Sequence, residues 1–274
     1  MAQPEPYKHG YYLWHYVPSL PAAVIFCILF LSVSILLIRR MWQTRTWFCI
    51  VFIVGGYFEF VGYAARAAAN SRTGKLFPYV IQNNYILLAP AFFAASVYMT
   101  LARIIRSVRG ERFSLLPVHR LTIIFVSGDI LTLCMQGGAA GMMVAQNVAS
   151  VGRGIVIASL LLQICIFGFF AFTALTFDQR ISRDPTPDCN DESIPWRQGL
   201  RMIYGISSLI MVRSVFRVIE FCAGADSYLF THEWTMYIFD AILMFGVMVI
   251  YFVWYPSGFQ RRYTAEPVGL QGNS

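Results

Sequence analysis

Three long stretches of this chain, residues 76–102, 154–177 and 241–260, contain no Asp, Glu, Lys or Arg. A helix rises about 1.5 Å per residue, so roughly 20 apolar residues cross the ~30 Å hydrocarbon core of a bilayer. Each stretch meets that length. Four more apolar segments of the same size join them, and spans are expected near 20–38, 47–67, 79–102, 121–144, 154–176, 201–222 and 233–254. Over the whole chain 57% of residues are hydrophobic and 13% charged, with a mean hydropathy of +0.58. A soluble domain carries about 25% charged residues. The composition therefore excludes a soluble enzyme domain, a disulfide scaffold and a nucleic-acid binder. The fold class expected is an all-α integral membrane bundle of seven transmembrane helices.

The net charge of +7 is distributed as a topology signal. One set of connections holds Arg39, Arg40, Arg45, Arg103, Arg106, Arg109, Arg112, Arg120, Arg180, Arg183, Arg197, Arg201, Arg261 and Arg262. The opposite set holds Lys8, Arg72, Lys75 and Arg153. The positive-inside rule places the first set in the cytoplasm, the amino terminus outside and the carboxyl terminus inside. Trp42, Trp47, Trp196, Trp234 and Trp254 sit near expected span ends, as an interfacial belt requires. A basic start followed by a short apolar run and a small-residue cleavage site is missing, so the first run is expected to be a retained helix. The membrane domain is expected over 1–258, with a cytoplasmic tail over 259–274. The Pro- and Asp-containing connection near 177–200 is expected to be a solvated, flexible linker.

The chemistry inventory points away from catalysis. No G-x-x-x-x-G-K-[ST] occurs, nor any H-E-x-x-H or G-x-S-x-G. The four histidines, His9, His15, His119 and His232, all lie away from span centres. Lys8 and Lys75 are the only lysines and both lie outside the spans, which rules out a Schiff base inside the bundle. The six cysteines show no metal-ligand spacing. The expectation is a protein that is not an enzyme and that takes no metal and no cofactor.

What remains is a set of ionisable residues inside apolar segments, each costing about 2.5–3.5 kcal/mol at a helix centre. Their spacings are helical. Glu59, Tyr63 and Arg66 fall at i, i+4, i+7; so do Arg213, Arg217 and Glu220, and again Glu233, Tyr237 and Asp240. Asp129 and Gln136 are also seven apart. Such stripes belong on the bundle interior. Two readings compete for them: interhelical ion pairs that fix packing, and the lining of a substrate path. Additional long polar side chains, Gln82, Asn83, Asn84 and Gln136 with Gln163, favour the path. The stripes are expected to outline a polar cavity opening outward. Arg213, Arg217 and Glu220 are expected to face the bundle and pair with carboxylates on neighbouring helices, foremost Glu59, Glu233 or Asp240. Pro90 is expected to kink its helix, and the Gly137–Gly141 run to form a packing seam.

Five segments carry a resemblance. They are EFVGYAAR (59–66), YVIQNNYILLAPAFFAASVYMTLARII (79–105), SGDILTLCMQGGAAGMM (127–143), MVRSVFRVIEFCAG (211–224) and HEWTMYIFDAILM (232–244). Together they resemble the fungal lipid-translocating exporters, seven-span proteins similar to the yeast aminocholesterol-resistance protein. The resemblance covers roughly 20–258. Ala139 and Ala140 interrupt the glycine run usual in the family after Gln136. The resemblance implies a multi-pass protein, often of the plasma membrane. It implies export of, or resistance to, amphipathic lipids such as sphingoid long-chain bases, with porphyrin or haem traffic in one branch. Its marked polar positions fall on Glu59, Tyr63, Arg66, Gln82, Asp129, Gln136, Gln163, Arg213, Arg217, Glu220, Glu233 and Asp240. The implied partners are membrane lipids and an amphipathic small molecule. A seven-helix receptor or sensor for such a molecule is the rival class, since topology alone is shared.

Overall fold

The computed structural model describes residues 18–70, 76–144, 148–190, 195–223 and 233–256. The amino-terminal segment with Lys8, Trp14 and Tyr16, the basic residues Arg72 and Lys75, residues 191–194 of the linker and the tail 259–274 lie outside the described residues.

Among the described residues, seven helices are long and apolar enough to cross a membrane. They are α1 (Leu20–Thr44), α2 (Ile50–Ala69, entered through a 3-10 turn at Trp47–Cys49), α3 (Leu76–Ser107), α4 (Val118–Val144), α5 (Ala149–Arg183), α6 (Trp196–Ala223) and α7 (Glu233–Val253). The chain is a multi-pass integral membrane protein. Several helices outrun the expected spans by one or two turns. Hydropathy falls at the first charge, but the backbone ladder continues wherever one face stays covered. In α5, Ile181 is wholly buried among charged neighbours, and the helix runs on to Arg183.

Consecutive helices pack side by side, α7 closes against α1 and α6, and α3 also meets α6 across the middle. The α3 helix is the central one, with Ala89, Phe93, Val97, Leu101 and Ile104 fully covered. Ile25, Ile28 and Ile35 on α1, and Ile123, Ile130 and Leu131 on α4, remain exposed, as a lipid-facing surface requires. Lipid is as apolar as these side chains, so close packing rather than exclusion of water holds such a bundle. Small residues provide that closeness on α2. A Cβ on Gly62 would lie 2.5 Å from Ile86 Cγ1, and one on Gly55 would lie 2.8 Å from Phe93 Cε1 and 3.1 Å from the Ala89 carbonyl oxygen.

The Gly137–Gly141 run behaves differently from its expected role. A Cβ on Gly137 or Gly138 would meet nothing within 4 Å, so these glycines form no seam. Only Ala139 of the described side chains in that run is buried, against Val156 and Leu160. The two glycine classes predict opposite outcomes in thermal unfolding of detergent-solubilised protein. Gly55→Val should cost about 1–3 kcal/mol through overpacking. Gly138→Ala should be neutral or stabilising by up to about 1 kcal/mol through helix propensity.

The described residues on either side of 191–194 are tied down. Thr186 Oγ1 donates to the Val108 carbonyl at 2.7 Å, and Trp196 Nε1 donates to the Cys189 carbonyl at 3.2 Å. At these points the linker, expected to be solvated, makes hydrogen bonds to the protein, while Asp184 stays exposed. At the same end of the bundle Thr46 and Tyr255 hydroxyls bond each other, and Tyr251 OH donates to Cys49 Sγ at 3.1 Å, tying α7 to the α1–α2 turn.

Candidate functional site: a buried polar core between helices 2, 6 and 7

At the end where α1 and α7 begin, Arg66 near the close of α2 is 1% exposed. Its Nη2 lies 2.7 Å from Glu233 Oε1 and its Nε donates to Tyr237 OH at 3.1 Å. Both Glu233 oxygens accept from the Ser19 backbone N–H, at 2.8 and 3.0 Å, and Asn70 Nδ2 donates to the Pro18 carbonyl at 2.7 Å. This cluster ties the start of α1, the end of α2 and the start of α7 together.

Deeper in the bundle, Arg213 on α6 pairs through Nε with Asp240 on α7. Its Nη2 donates to the Ile86 carbonyl on α3 at 3.1 Å. That second bond has a sequence cause. Pro90 lacks an N–H, so the carbonyl four residues earlier, Ile86, loses its helical partner. In a membrane such a carbonyl needs another donor, and Arg213 supplies it. The helix containing Pro90 is continuous from Leu76 to Ser107.

Asp240 lies in a π-helical segment, Tyr237–Ile242, within α7. A π turn is wider than an α turn and frequently occurs at functional sites. Here Glu233 and Tyr237 reach α2, while Asp240 reaches α6. A uniform i, i+7 stripe would have kept Glu233 and Asp240 on one face.

Glu59 sits in the same layer, one turn before Tyr63. It is 0% exposed, and neither carboxylate oxygen has a hydrogen-bond partner. Asp240 and Arg213 lie within electrostatic range of it. Tyr63 is also wholly buried, its ring stacked on Phe30 at a centroid distance of 5.4 Å and its hydroxyl unpartnered.

The remaining candidates divide. Arg217 and Glu220 pair with each other at 2.7 Å within α6. The expected pairing of these two with neighbouring helices is therefore corrected: three residues apart on one helix, they are each other's nearest opposite charges. On α3, α4 and α5 a second group forms. Tyr98 OH donates to Asp129 Oδ2 at 2.9 Å beside Phe125 and Phe170, and Gln136 Nε2 donates to Gln163 Oε1 at 3.0 Å. Gln82 is buried with its Oε1 unpartnered, whereas Asn83 and Asn84 are exposed on the other side of α3.

Among the described residues, the polar cavity expected to be open or nearly open to the outside is not seen as an open vestibule. Glu59, Arg66, Gln82, Asp129, Gln136, Arg213, Glu220 and Asp240 are all buried, closed over by aromatic and aliphatic neighbours. Their hydrogen bonding is incomplete: Glu59, Tyr63, Gln82, Asp129, Gln136, Arg217 and Asp240 each keep at least one buried polar atom without a hydrogen-bond partner. A cleft of about 180 Å³ does exist at the arginine-rich end, lined by Met99, Ala102, Arg103, Arg106, Val118, His119 and Thr122. Sequence reasoning missed the Ile86 carbonyl, although Pro90 marks it. Tyr98, as the partner of Asp129, was also missed, since only tertiary packing joins them.

The charge balance of the stripes follows. Arg66, Arg213 and Arg217 each hold one carboxylate: Glu233, Asp240 and Glu220. Two acids are left over, Asp129 with its tyrosine and Glu59 with no hydrogen bond. Among the described stripe residues the acids therefore outnumber the arginines by two.

Residues 52–262 match the family model described as RTA1 like protein. Among known proteins, the chain is 31% identical to Protein RTA1 of Saccharomyces cerevisiae, over 91% of this chain and 86% of that one. It is 28% identical to Protoporphyrin uptake protein 1 of the same yeast, over 89% and 92% of the two chains. It is 25% identical to the Sphingoid long-chain base transporter RSB1, also of that yeast, over 92% and 75%. No solved structure matches the chain.

Proposed function

Because the chain belongs to the RTA1-like proteins, we propose that it moves a cationic amphipathic lipid of the sphingoid long-chain base class across the membrane and so confers resistance to it. The observation that carries this reading is the left-over acid at Glu59. A long-chain base has an ammonium headgroup and an apolar tail. The headgroup would pair with Glu59 in the layer of Arg213 and Asp240, and the tail would stay against apolar helix faces or lipid. The relative named as a sphingoid long-chain base transporter supports the substrate class. The relative named for protoporphyrin uptake supports a second reading, in which the cargo is a porphyrin. A porphyrin presents carboxylates, and the three stripe arginines are already engaged by acids, so the cationic cargo is preferred.

On this reading the protein is a transporter and not an enzyme, in keeping with the missing nucleotide, zinc and nucleophile motifs. An outside amino terminus and a plasma-membrane location belong to the same reading, supported by the arginine bias and by the transporter relative.

The test uses yeast cells lacking their own relatives, exposed to a toxic sphingoid base, with surface level and survival measured together. The chain should restore survival. Glu59→Gln should lose the resistance at a normal surface level, because it removes the ionisable group and keeps the shape of the side chain. Asp240→Asn should lower the surface level as well, because it leaves Arg213 without its acid. Full resistance with Glu59→Gln would remove Glu59 from the headgroup role.

A further inference from the structure

Glu59 presents a problem of charge that the translocation reading alone does not answer. The carboxyl is wholly buried, both oxygens lack a donor, and the nearest guanidinium, Arg213, is committed to Asp240 and to the Ile86 carbonyl. An ionised carboxylate with neither cation nor hydrogen-bond donor is the costliest group a protein interior can hold, and such groups are neutralised instead. The charged and titratable groups around it are few. Asp240 and Arg213 act on it from α7 and α6, and on its own helix Tyr63 and Arg66 follow it. In this stretch of the bundle α1 contributes Phe30 and Ser34, and α3 contributes Gln82, Ile86 and Ala89, none of them charged. A proton neutralises such a carboxylate when the site is empty, and a cationic headgroup can do so when it is filled.

We propose that Glu59 carries a proton which the ammonium headgroup displaces, so that the chain exchanges protons for cationic lipid. In the closed arrangement the carboxyl keeps its O–H bond. When the lipid enters, that bond breaks, the proton passes to water on the face from which the lipid came, and the carboxylate pairs with the ammonium. On the other face a proton from water re-forms the O–H bond and the ammonium leaves. Charge at the site stays constant throughout, and a proton gradient supplies the driving force in a chain with no nucleotide motif. The proposal rests on the translocation reading and deepens it.

The test is proton release on binding. The full chain is purified in detergent, in weak buffer at mildly acidic pH, where a primary alkylamine that titrates near ~10.4 is already fully charged. Sphinganine is added, and binding and released protons are measured together. Wild type should release about one proton per lipid bound. Glu59→Gln should release none while melting no lower than wild type, and Glu59→Asp should keep the release. Binding without release overturns the exchange and leaves the transport reading standing. Failure of wild type to bind sphinganine overturns both. Release from Glu59→Gln equal to wild type also overturns the exchange. Should Glu59→Gln not fold, infrared difference spectra of wild type and Glu59→Asp decide. A protonated-carboxyl stretch that disappears on lipid addition and shifts with the aspartate supports the proposal; its absence contradicts it.

Discussion

Replacing Arg213 by glutamine should remove most of the folded protein from the membrane. Arg213 is 5% exposed and makes two bonds to neighbouring helices. One goes to Asp240, the other to the Ile86 carbonyl that Pro90 leaves without a partner. Removal leaves Asp240 without its ion-pair partner, beside a second buried acid, Glu59. Breaking one side of a buried ion pair costs about 3–5 kcal/mol. A single hydrogen bond between membrane helices averages only ~0.6 kcal/mol. The charge imbalance therefore dominates, and the lost carbonyl bond adds a smaller amount. The double substitution Arg213→Gln with Asp240→Asn should recover most of the loss, because an amide pair carries no net charge and can still hydrogen-bond. The fraction of monodisperse protein after detergent extraction measures both. An Arg213→Gln variant as abundant and as stable as wild type would mean that this pair does not hold α6 to α7.

Much of the architecture is legible in the residues because lipid imposes so simple a rule. A charge-free run of membrane length leaves little but a helix, and each of the seven expected segments lies on one. The polar stripes are legible for a related reason: a Glu or Arg at a helix centre must face protein, and Glu59, Arg66, Arg213 and Asp240 all do. Partner choice is less accessible. Arg217 and Glu220 satisfy each other along α6, a local option that spacing displays but that stripe reasoning passes over. The π-helical turn at Tyr237–Ile242 changes which neighbour Asp240 meets, and no residue type announces it. Asn83 and Gln82 are adjacent and equally polar, yet one is exposed and the other buried, because helix phase relative to neighbours is a tertiary property. Gly55 and Gly138 look alike in sequence as well. Only the approach of Phe93 makes one of them indispensable to packing.

The same physics gives the second large expectation. A sphingoid base crosses a pure bilayer slowly in its charged form, because its ammonium must shed water in hydrocarbon. A carboxyl held inside the bundle removes most of that barrier by meeting the headgroup with an opposite charge. The purified full chain in lipid vesicles, with a fluorescent sphingoid base loaded in one leaflet and its arrival in the other followed in time, measures this directly. The account predicts rapid movement in vesicles with wild-type protein, acceleration by an imposed proton gradient, and movement at the protein-free rate with Glu59→Gln. Movement no faster with wild-type protein than in protein-free vesicles would contradict it and would leave a receptor for such lipids as the better reading of these seven helices.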